Sequence, residues 1–201
     1  MKAEDRKSAI LIHAKHLFSK HGYHKTQISD IIKHAKIARG TLYQYFENKD
    51  DIFITLLENC FKHWKQVQFK HDSEIDMVNI TSFEFLRHRI KTALQFFADD
   101  HEVCNIVLRM GVGLHDSIEQ VIQRLERDIM TIIKDEIRFG IKTKAIHADS
   151  DINLGATLLL GAVLRTALVY FVQERDTFKD TTVDELAEGI AAIFAPGFFK
   201  S

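Results

Sequence analysis

The sequence contains little of what turn-rich or cross-linked proteins need. Its 201 residues include one proline and nine glycines, and so few turn-formers favour helices over β structure. The two cysteines lie in helical patterns and indicate buried thiols in a reducing cytosol, not a disulfide framework. There is no nucleophile–base pair, no glycine-rich phosphate loop and no zinc-protease motif. We therefore expect no enzyme, no cofactor and no bound metal.

Neither a membrane span nor a secretion signal is expected, although one hydrophobic run is long. Residues 154–172 contain a single charge, Arg165, near the middle of the run, where a charge is costly in lipid. A helix that is apolar on nearly all sides is more often buried in a core or in an oligomer interface. The first twelve residues are charged and lack a long apolar stretch, so we expect a cytoplasmic protein.

The net charge of −1 conceals an uneven distribution. Residues 1–50 carry ten Lys and Arg against five Asp and Glu, a balance of +5, whereas residues 51–201 carry 17 against 23, a balance of −6. A basic N-terminal unit on a mildly acidic remainder suggests that only the N-terminal part meets phosphate. A chance fluctuation in a short window would give the same balance, so the charge alone leaves nucleic-acid binding open.

Residues 26–49 predict two short helices joined by a tight turn. Apolar residues recur from Ile28 to Ala35 at the spacing of one helical face. The second helix, residues 39–45, is rich in hydrogen-bond donors and planar rings. A short helix of this kind, packed on a small apolar partner, suits a helix-turn-helix that enters the major groove of DNA.

A known pattern runs through this segment and the helix before it. The matching positions are Leu17-Phe18, Gly22-Tyr23, Thr26, Ile31, Ala35, Gly40-Thr41-Leu42-Tyr43, Tyr45-Phe46 and Lys49. Here the chain resembles the DNA-binding domain of the tetracycline-repressor (TetR) family of bacterial regulators. The resemblance implies an all-α protein of about nine helices, with a three-helix DNA-binding domain over residues 1–47 and a helical ligand-binding and dimerisation domain over residues 48–201.

The resemblance also implies a function. The expected protein is a homodimeric repressor that binds a pseudo-palindromic double-stranded operator and is released by a small apolar effector. A regulator without an effector, its cavity filled by side chains, is one alternative. A helical dimeric interaction protein with no DNA or effector role is another, and the basic N-terminal unit speaks against it.

The resemblance places seven positions at the DNA, and Gln27, Lys36 and Thr41 join them in the expected contact set. Lys49, Tyr45 and Thr26 would donate to phosphate oxygens and set the register. Gln44 can pair bidentately with adenine, and Arg39 with guanine. The complete set of expected contacts is Thr26, Gln27, Lys36, Arg39, Gly40, Thr41, Tyr43, Gln44, Tyr45 and Lys49.

Two residues depart from the family pattern. Lys36 stands where glycine is common, and a non-glycine residue in a left-handed turn costs about 1 kcal/mol. Ala38 stands where Ser or Thr is common, so its side chain cannot cap the third helix, a loss of about 1 kcal/mol. Lys36 offers a phosphate contact in exchange. These changes leave the fold in place and the turn contacts open.

Start and stop signals predict the remaining helices. Thr26 is expected as an N-cap, Gly22 as a left-handed helix end, Gly140 as a C-terminal stop and Pro196-Gly197 as the last end. Expected helices are 4–20, a short one after Thr26, 39–45, one capped by Asn48, one starting at Thr81, a short one after Asp99-Asp100 to Met110, 116–139, 151–174 and one capped by Thr182.

The second domain carries two further predictions. The resemblance implies a ligand cavity among its helices, and the residues chosen for it are Phe83, Phe97, Arg109, Met110, Leu114, His115 and Arg165. Ordinary core packing explains the aromatic members equally well, and pairing with nearby acidic residues explains Arg109, His115 and Arg165 equally well. The dimer interface is predicted on the eighth and ninth helices, at Gly155, Leu158, Gly161, Leu164, Leu168, Ile190, Ile193 and Phe194.

Overall fold

The structure is a computed structural model that describes residues 3–72, 80–109 and 113–199. Across these ranges it contains nine α-helices, which confirms the all-α fold predicted from the sequence. They are α1 (Ala3–Lys25), α2 (Ile28–Ala35), α3 (Arg39–Tyr43), α4 (Lys49–Asp72), α5 (Ser82–Asp99), α6 (His101–Leu108), α7 (Asp116–Lys142), α8 (Ile152–Leu168) and α9 (Val183–Phe198). A π-helical turn, Val169–Gln173, continues α8, and an isolated bridge pairs Ile146 with Phe199.

Side-chain caps begin most of the helices where the sequence predicted them. Thr81, Asp100, Asp151 and Thr182 are N-caps, and each side chain accepts a hydrogen bond from the backbone N–H three residues ahead. The Asn48 side chain accepts in the same way at the start of α4, with an N···O distance of 2.9 Å. Capping of this kind satisfies backbone donors that the helix itself leaves unpaired, which is why local sequence places these starts well.

The predicted helix ends were less accurate. Gly140 lies inside α7, where it is buried, and a Cβ atom there would lie 2.6 Å from Cδ1 of Ile146. This glycine therefore allows a close approach of the returning chain and is not a stop. Pro196 lies inside the last turn of α9, which continues to Phe198. Regular α-helix in α8 ends at Leu168, where the π-helical turn begins.

The connection from α1 to α2 also differs from expectation. Helix α1 continues past its predicted end and kinks at Gly22, whose φ of 78° and ψ of 167° lie in a region essentially restricted to glycine, not in the left-handed helical region. The N-cap of α2 is Gln27, not Thr26. The Gln27 backbone N–H donates to the Asp30 carboxylate at 2.9 Å and so ties the first turn together.

One apolar core joins the N-terminal helices to the rest of the chain. Helices α1 to α3 contribute Ile10, Phe18, Ile31 and Leu42, all buried, and the following chain contributes Phe46, Ile52, Phe53, Leu57, Ile106, Leu114 and Ile118. The start of α4 and the segment from α6 to α7 therefore pack into the same core as the helix-turn-helix. A second core lies between α5, α6, α8 and α9, where buried alanines on α8 and α9 allow close helix packing.

Candidate DNA-binding surface and ligand cavity

The turn between α2 and α3 has the geometry of a helix-turn-helix. Ile31 of α2 and Leu42 of α3 are fully buried and hold the two helices on α1. Lys36 ends α2 in the left-handed conformation, with φ 52° and ψ 46°. Ala38 is the N-cap of α3 and makes no side-chain cap. Both departures from the family pattern therefore fall where their predicted costs apply.

Helix α3 presents polar side chains to solvent. Arg39, Gly40, Tyr43 and Gln44 are exposed, and the Arg39 guanidinium lies 5.7 Å from the centre of the Tyr43 ring. Gln27 and Lys36 are exposed as well, whereas Thr41 and Tyr45 are only partly exposed. An exposed guanidinium and amide on a short helix can reach base edges, because both have planar hydrogen-bonding groups.

A shallow groove runs between α2 and α3. Besides Gln27, Arg39 and Tyr43, it is lined by Ser29 and Lys33. Sequence reasoning missed these two residues. Their spacing of four residues on α2 puts them on one face, opposite the buried Ile31, and this helical periodicity was available from the sequence.

Thr26 and Lys49, both expected as phosphate donors, have hydrogen-bond partners within the protein. Thr26 is 1% exposed, and its hydroxyl donates to the Gly22 carbonyl at 2.8 Å. The Lys49 ammonium donates to the carbonyls of Tyr23 at 2.9 Å and Thr26 at 3.1 Å, and lies 4.1 Å from the Tyr23 ring centre. Burial lowers the pKa of Lys49, while the nearby Asp50 carboxylate opposes that shift. Both residues fasten the end of α1 to the start of α4.

The first turn of α4 holds a polar junction of three chain segments. The Asp50 carboxylate accepts hydrogen bonds from the Tyr23 hydroxyl and, at 3.2 Å, from the Ser117 hydroxyl, and it lies 2.7 Å from Nδ1 of His115. Burial raises the pKa of Asp50, but these hydrogen bonds outweigh it and the net pKa is lowered. Burial and the Asp50 contact raise the pKa of Tyr23. The junction joins α1, α4 and the start of α7.

Three histidines meet between α1, α2 and α6. Nδ1 atoms of His13 and His34 are 3.0 Å apart, and the His16 ring stacks on that of His34. Nδ1 of His16 lies 2.7 Å from the Glu102 carboxylate. Across the residues that the structure describes, no three or more His, Cys, Asp or Glu side chains are grouped to hold a metal ion.

An apolar cavity of about 230 Å³ lies between α4, α5, α6, α7 and α8. Its walls are mainly aliphatic and aromatic side chains. Those on α4 are Leu57, Cys60, Phe61, Trp64 and Gln68; those on α5 and α6 are Leu86, Arg89, Ile90, Ala93, Phe96, Phe97, Val107 and Leu108; and those on α7 and α8 are Ile122, Leu125, Glu126, Ile129, Ile132, Ile133, Glu136, Leu159, Leu160, Val163 and Leu164. Such a wall suits a long apolar ligand.

Few of the residues predicted for the cavity line it. Phe97 does, while Phe83 is partly buried against the second core and Leu114 is buried in the first. His115 belongs to the Asp50 junction. The remaining predictions also differ from the structure: Arg109 and Arg165 are exposed and away from the cavity wall, and Met110 lies outside the described residues.

The polar groups of the cavity differ from those predicted. Arg89 and Glu136 form an ion pair at 2.5 Å, and the Arg89 side chain is 11% exposed. Gln68 is 5% exposed, and among the residues that the structure describes its Nε2 atom has no hydrogen-bond partner. Burial raises the pKa of Cys60 to about 12, so this thiol is a neutral part of the wall. Charged residues inside an apolar helical face carry no local sequence signal that separates a cavity wall from a surface.

Helices α8 and α9 carry exposed apolar residues. Leu154, Leu158, Gly161, Ala192 and Ile193 are exposed, with Leu158 at 50% and Ile193 at 78%. We call this set the α8–α9 face. Ile152–Gln173 is apolar enough to cross a membrane by length and composition alone, and 11% of its most apolar window is buried.

Several residues predicted for the dimer interface point elsewhere. Gly155 is buried, and a Cβ atom there would lie 2.7 Å from the Phe198 ring of the same protomer. Ile190 is buried in the second core, and Leu164 lines the cavity. The two remaining residues predicted for the interface, Leu168 and Phe194, are partly exposed and lie outside the α8–α9 face.

Comparisons with known proteins agree on one family. Residues 10–56 match the family of bacterial regulatory proteins described as tetR family. YhgD of Bacillus subtilis (strain 168), an uncharacterised HTH-type transcriptional regulator, is 31% identical over 143 residues, which cover 71% of this chain and 72% of YhgD. The fatty acid metabolism regulator protein of the same organism is 28% identical over 189 residues, covering 90% of this chain and 93% of that protein.

The fold has close structural counterparts. The crystal structure of the transcriptional regulator FadR from Bacillus subtilis in complex with stearoyl-CoA superposes with a TM-score of 0.77 at 23% identity. The superposition covers 94% of this chain and 98% of FadR. At this identity the likeness establishes the shared fold.

Proposed function

Because the chain belongs to the TetR family of bacterial transcriptional regulators, we propose that it is a dimeric, cytoplasmic repressor that a long-chain acyl ligand releases from its operator. Residues 1–47 bind the DNA, and residues 48–201 dimerise and bind the ligand. The observation that carries the ligand assignment is the apolar cavity whose lining follows α4 from Leu57 to Gln68. No catalytic role is assigned to any residue.

The DNA-binding proposal rests on the exposed residues of α2 and α3. Arg39 and Gln44 are assigned to contacts with base edges. Lys33, Lys36 and Tyr43 are assigned to contacts with the sugar-phosphate backbone of the DNA. Gly40 and Thr41 lie where the backbone of α3 approaches the DNA. Thr26 and Lys49 are assigned the supporting role that their internal hydrogen bonds indicate.

The ligand proposal rests on the shape and chemistry of the cavity. Its lining extends over α4 from Leu57 to Gln68, eleven residues or about 16 Å of helix, which suits an extended chain better than a compact ring system. A relative of nearly equal length is named a fatty acid metabolism regulator protein, and FadR, which has the same fold, was crystallised with stearoyl-CoA. These findings favour an acyl thioester.

The dimer proposal rests on the α8–α9 face. Half-exposed leucines and an isoleucine at 78% exposure are costly to leave in water, and a second copy of the same face would bury them. Gly161 is exposed, and because glycine has no side chain, the helix of a second copy can approach closely at this position. Two protomers would then present two copies of α3 to half-sites about 34–36 Å apart or a multiple of that distance.

The proposed signal travels through α4. Leu57 lines the cavity and also belongs to the core of the helix-turn-helix. Eight residues earlier, Lys49 ties the same helix to the end of α1. A ligand that displaces α4 would thus move α3 relative to its counterpart in the dimer. A coupling of about 1–3 kcal/mol corresponds to a 5- to 150-fold loss of operator affinity.

The test starts from operators selected out of a random duplex pool, with binding measured by fluorescence anisotropy. If the dimer neutralises six phosphates, the slope of log affinity against log salt is about −5 or steeper. Stearoyl-CoA should raise the melting temperature and lower operator affinity, whereas free coenzyme A should do neither. Ala93→Phe, which fills the cavity, should bind operator but ignore the ligand.

Two outcomes would contradict this proposal. A salt slope near zero with no selected sequence would favour a helical dimeric interaction protein without a DNA role. Sequence-specific binding that no acyl compound changes, together with unchanged melting, would favour a repressor without an effector.

A further inference from the structure

The cavity has one end near the DNA-binding unit and one far from it. Leu57, near the start of α4, packs in the helix-turn-helix core, and Gln68 lies eleven residues further along the same helix. Helix α7 runs in the same direction, because Ser117 near its start donates to Asp50 at the start of α4, and Arg124, seven residues later, pairs at 2.5 Å with Glu58, eight residues after Asp50. Glu136, twelve residues after Arg124, therefore lies toward the far end.

Helix α5 runs in the opposite direction to α4, so its N-terminal half lies at the far end of the cavity. Asp100, just after its C-terminal end, accepts a hydrogen bond from Lys15 of α1 at 2.7 Å, which puts that end near the DNA-binding unit. Arg89, eleven residues earlier, pairs with Glu136. Gln68, Arg89 and Glu136 thus share the far end, and the lining nearer the DNA-binding unit is apolar apart from the exposed Glu126.

The Gln68 side chain is an unsatisfied hydrogen-bond donor in this wall. It is 5% exposed, and Nε2 has no hydrogen-bond partner within residues 3–72, 80–109 and 113–199. Buried polar groups in native proteins are almost always paired, and an unpaired one lowers stability. A donor in such a place is expected where a ligand supplies the acceptor.

We propose that the Gln68 side-chain amide donates a hydrogen bond to the carbonyl oxygen of an acyl thioester, whose hydrocarbon chain extends along α4 toward Leu57. This inference rests on the ligand proposed above and adds its orientation and the group that recognises its head. The wall contains two glutamates and one arginine, and this arginine is paired with Glu136. A neutral thioester carbonyl therefore suits the far end better than the carboxylate of a free fatty acid.

The test compares stearoyl-CoA, S-octadecyl-CoA, which lacks the carbonyl oxygen, and stearic acid. Wild-type protein should bind stearoyl-CoA roughly tenfold more tightly than the thioether, the effect of one hydrogen bond to a buried donor. Stearic acid should bind more weakly than the thioester. Gln68→Leu should bind the thioester and thioether equally and, without ligand, should melt at a higher temperature than wild type. Gln66→Leu, an exposed position on the same helix, should keep the tenfold preference.

The possible failures are distinguishable. If the wild type binds none of the three compounds, the proposed ligand class is wrong. If it binds thioester and thioether equally, or if Gln68→Leu and Gln68→Met both keep the preference, the role of Gln68 is wrong while the ligand class stands. A stearic acid affinity above that of stearoyl-CoA would overturn the assignment of a neutral carbonyl.

Discussion

Replacing Asp50 with asparagine should destabilise the protein by about 2–3 kcal/mol. The carboxylate accepts hydrogen bonds from Tyr23 and Ser117 and lies 2.7 Å from Nδ1 of His115, so it joins three helices. Hydrogen bonds to a charged group contribute about 1.5–3 kcal/mol. A negative charge in the first turn of a helix adds about 0.3–1 kcal/mol, which the neutral amide loses. The side chain is 21% exposed, which keeps the sum below the upper limits.

The assay is urea unfolding at pH 7 and a fixed protein concentration, followed by circular dichroism. Tyr23→Phe removes the hydroxyl that donates to Asp50, so the double mutant should lose about 1–2 kcal/mol less than the sum of the two single changes. Asp116→Asn makes the same chemical change in the first turn of α7 and serves as the control, with a loss of about 1 kcal/mol or less. Additive losses at Tyr23 and Asp50, or a loss at Asp50 no greater than at Asp116, would refute the reasoning.

The same substitution makes a prediction for pH. The pKa of Asp50 is lowered below its ordinary value of 3.8 in the folded protein. A group with a depressed folded pKa contributes stability above its unfolded pKa and loses that contribution as pH falls through the folded pKa. The stability difference between wild type and Asp50→Asn should therefore be constant above about pH 5 and shrink below about pH 4.

Three further changes test other parts of the molecule. Leu158→Glu combined with Ile193→Glu puts charge on the α8–α9 face, so sedimentation should show monomers that bind operator weakly. A wild type that is monomeric at micromolar concentration would contradict the interface. Gly140→Ala should cost roughly 1–3 kcal/mol in urea unfolding because its methyl group would lie 2.6 Å from Ile146, and Ile146→Ala should absorb part of that loss. Gln44→Ala should change base preference at one position of each half-site, measured by selection from random duplexes, and leave the salt slope unchanged.

The amino-acid sequence by itself determined the helices and the helix-turn-helix. Thr81 and Thr182 cap their helices through hydrogen bonds to residues three positions away, and such short-range chemistry is visible in the sequence. Lys36 adopts the left-handed conformation at the position where the family pattern has glycine. Periodicity also separated the buried Ile31 from the exposed residues of α2. Each of these features depends on neighbours within about one helical turn.

Only the tertiary structure decided what each side chain faces. Thr26 and Lys49 match the family pattern at the DNA, yet their hydrogen bonds run to backbone carbonyls near the end of α1. His115 joins Asp50 across sixty-five positions of sequence, whereas the unpaired donor in the cavity is Gln68. Gly155 packs against Phe198 of the same chain. The sequence could not predict this contact, because α8 is apolar on nearly all sides and such a pattern does not distinguish a core from an interface. Such contacts depend on how distant helices pack, and helical periodicity carries no information about that.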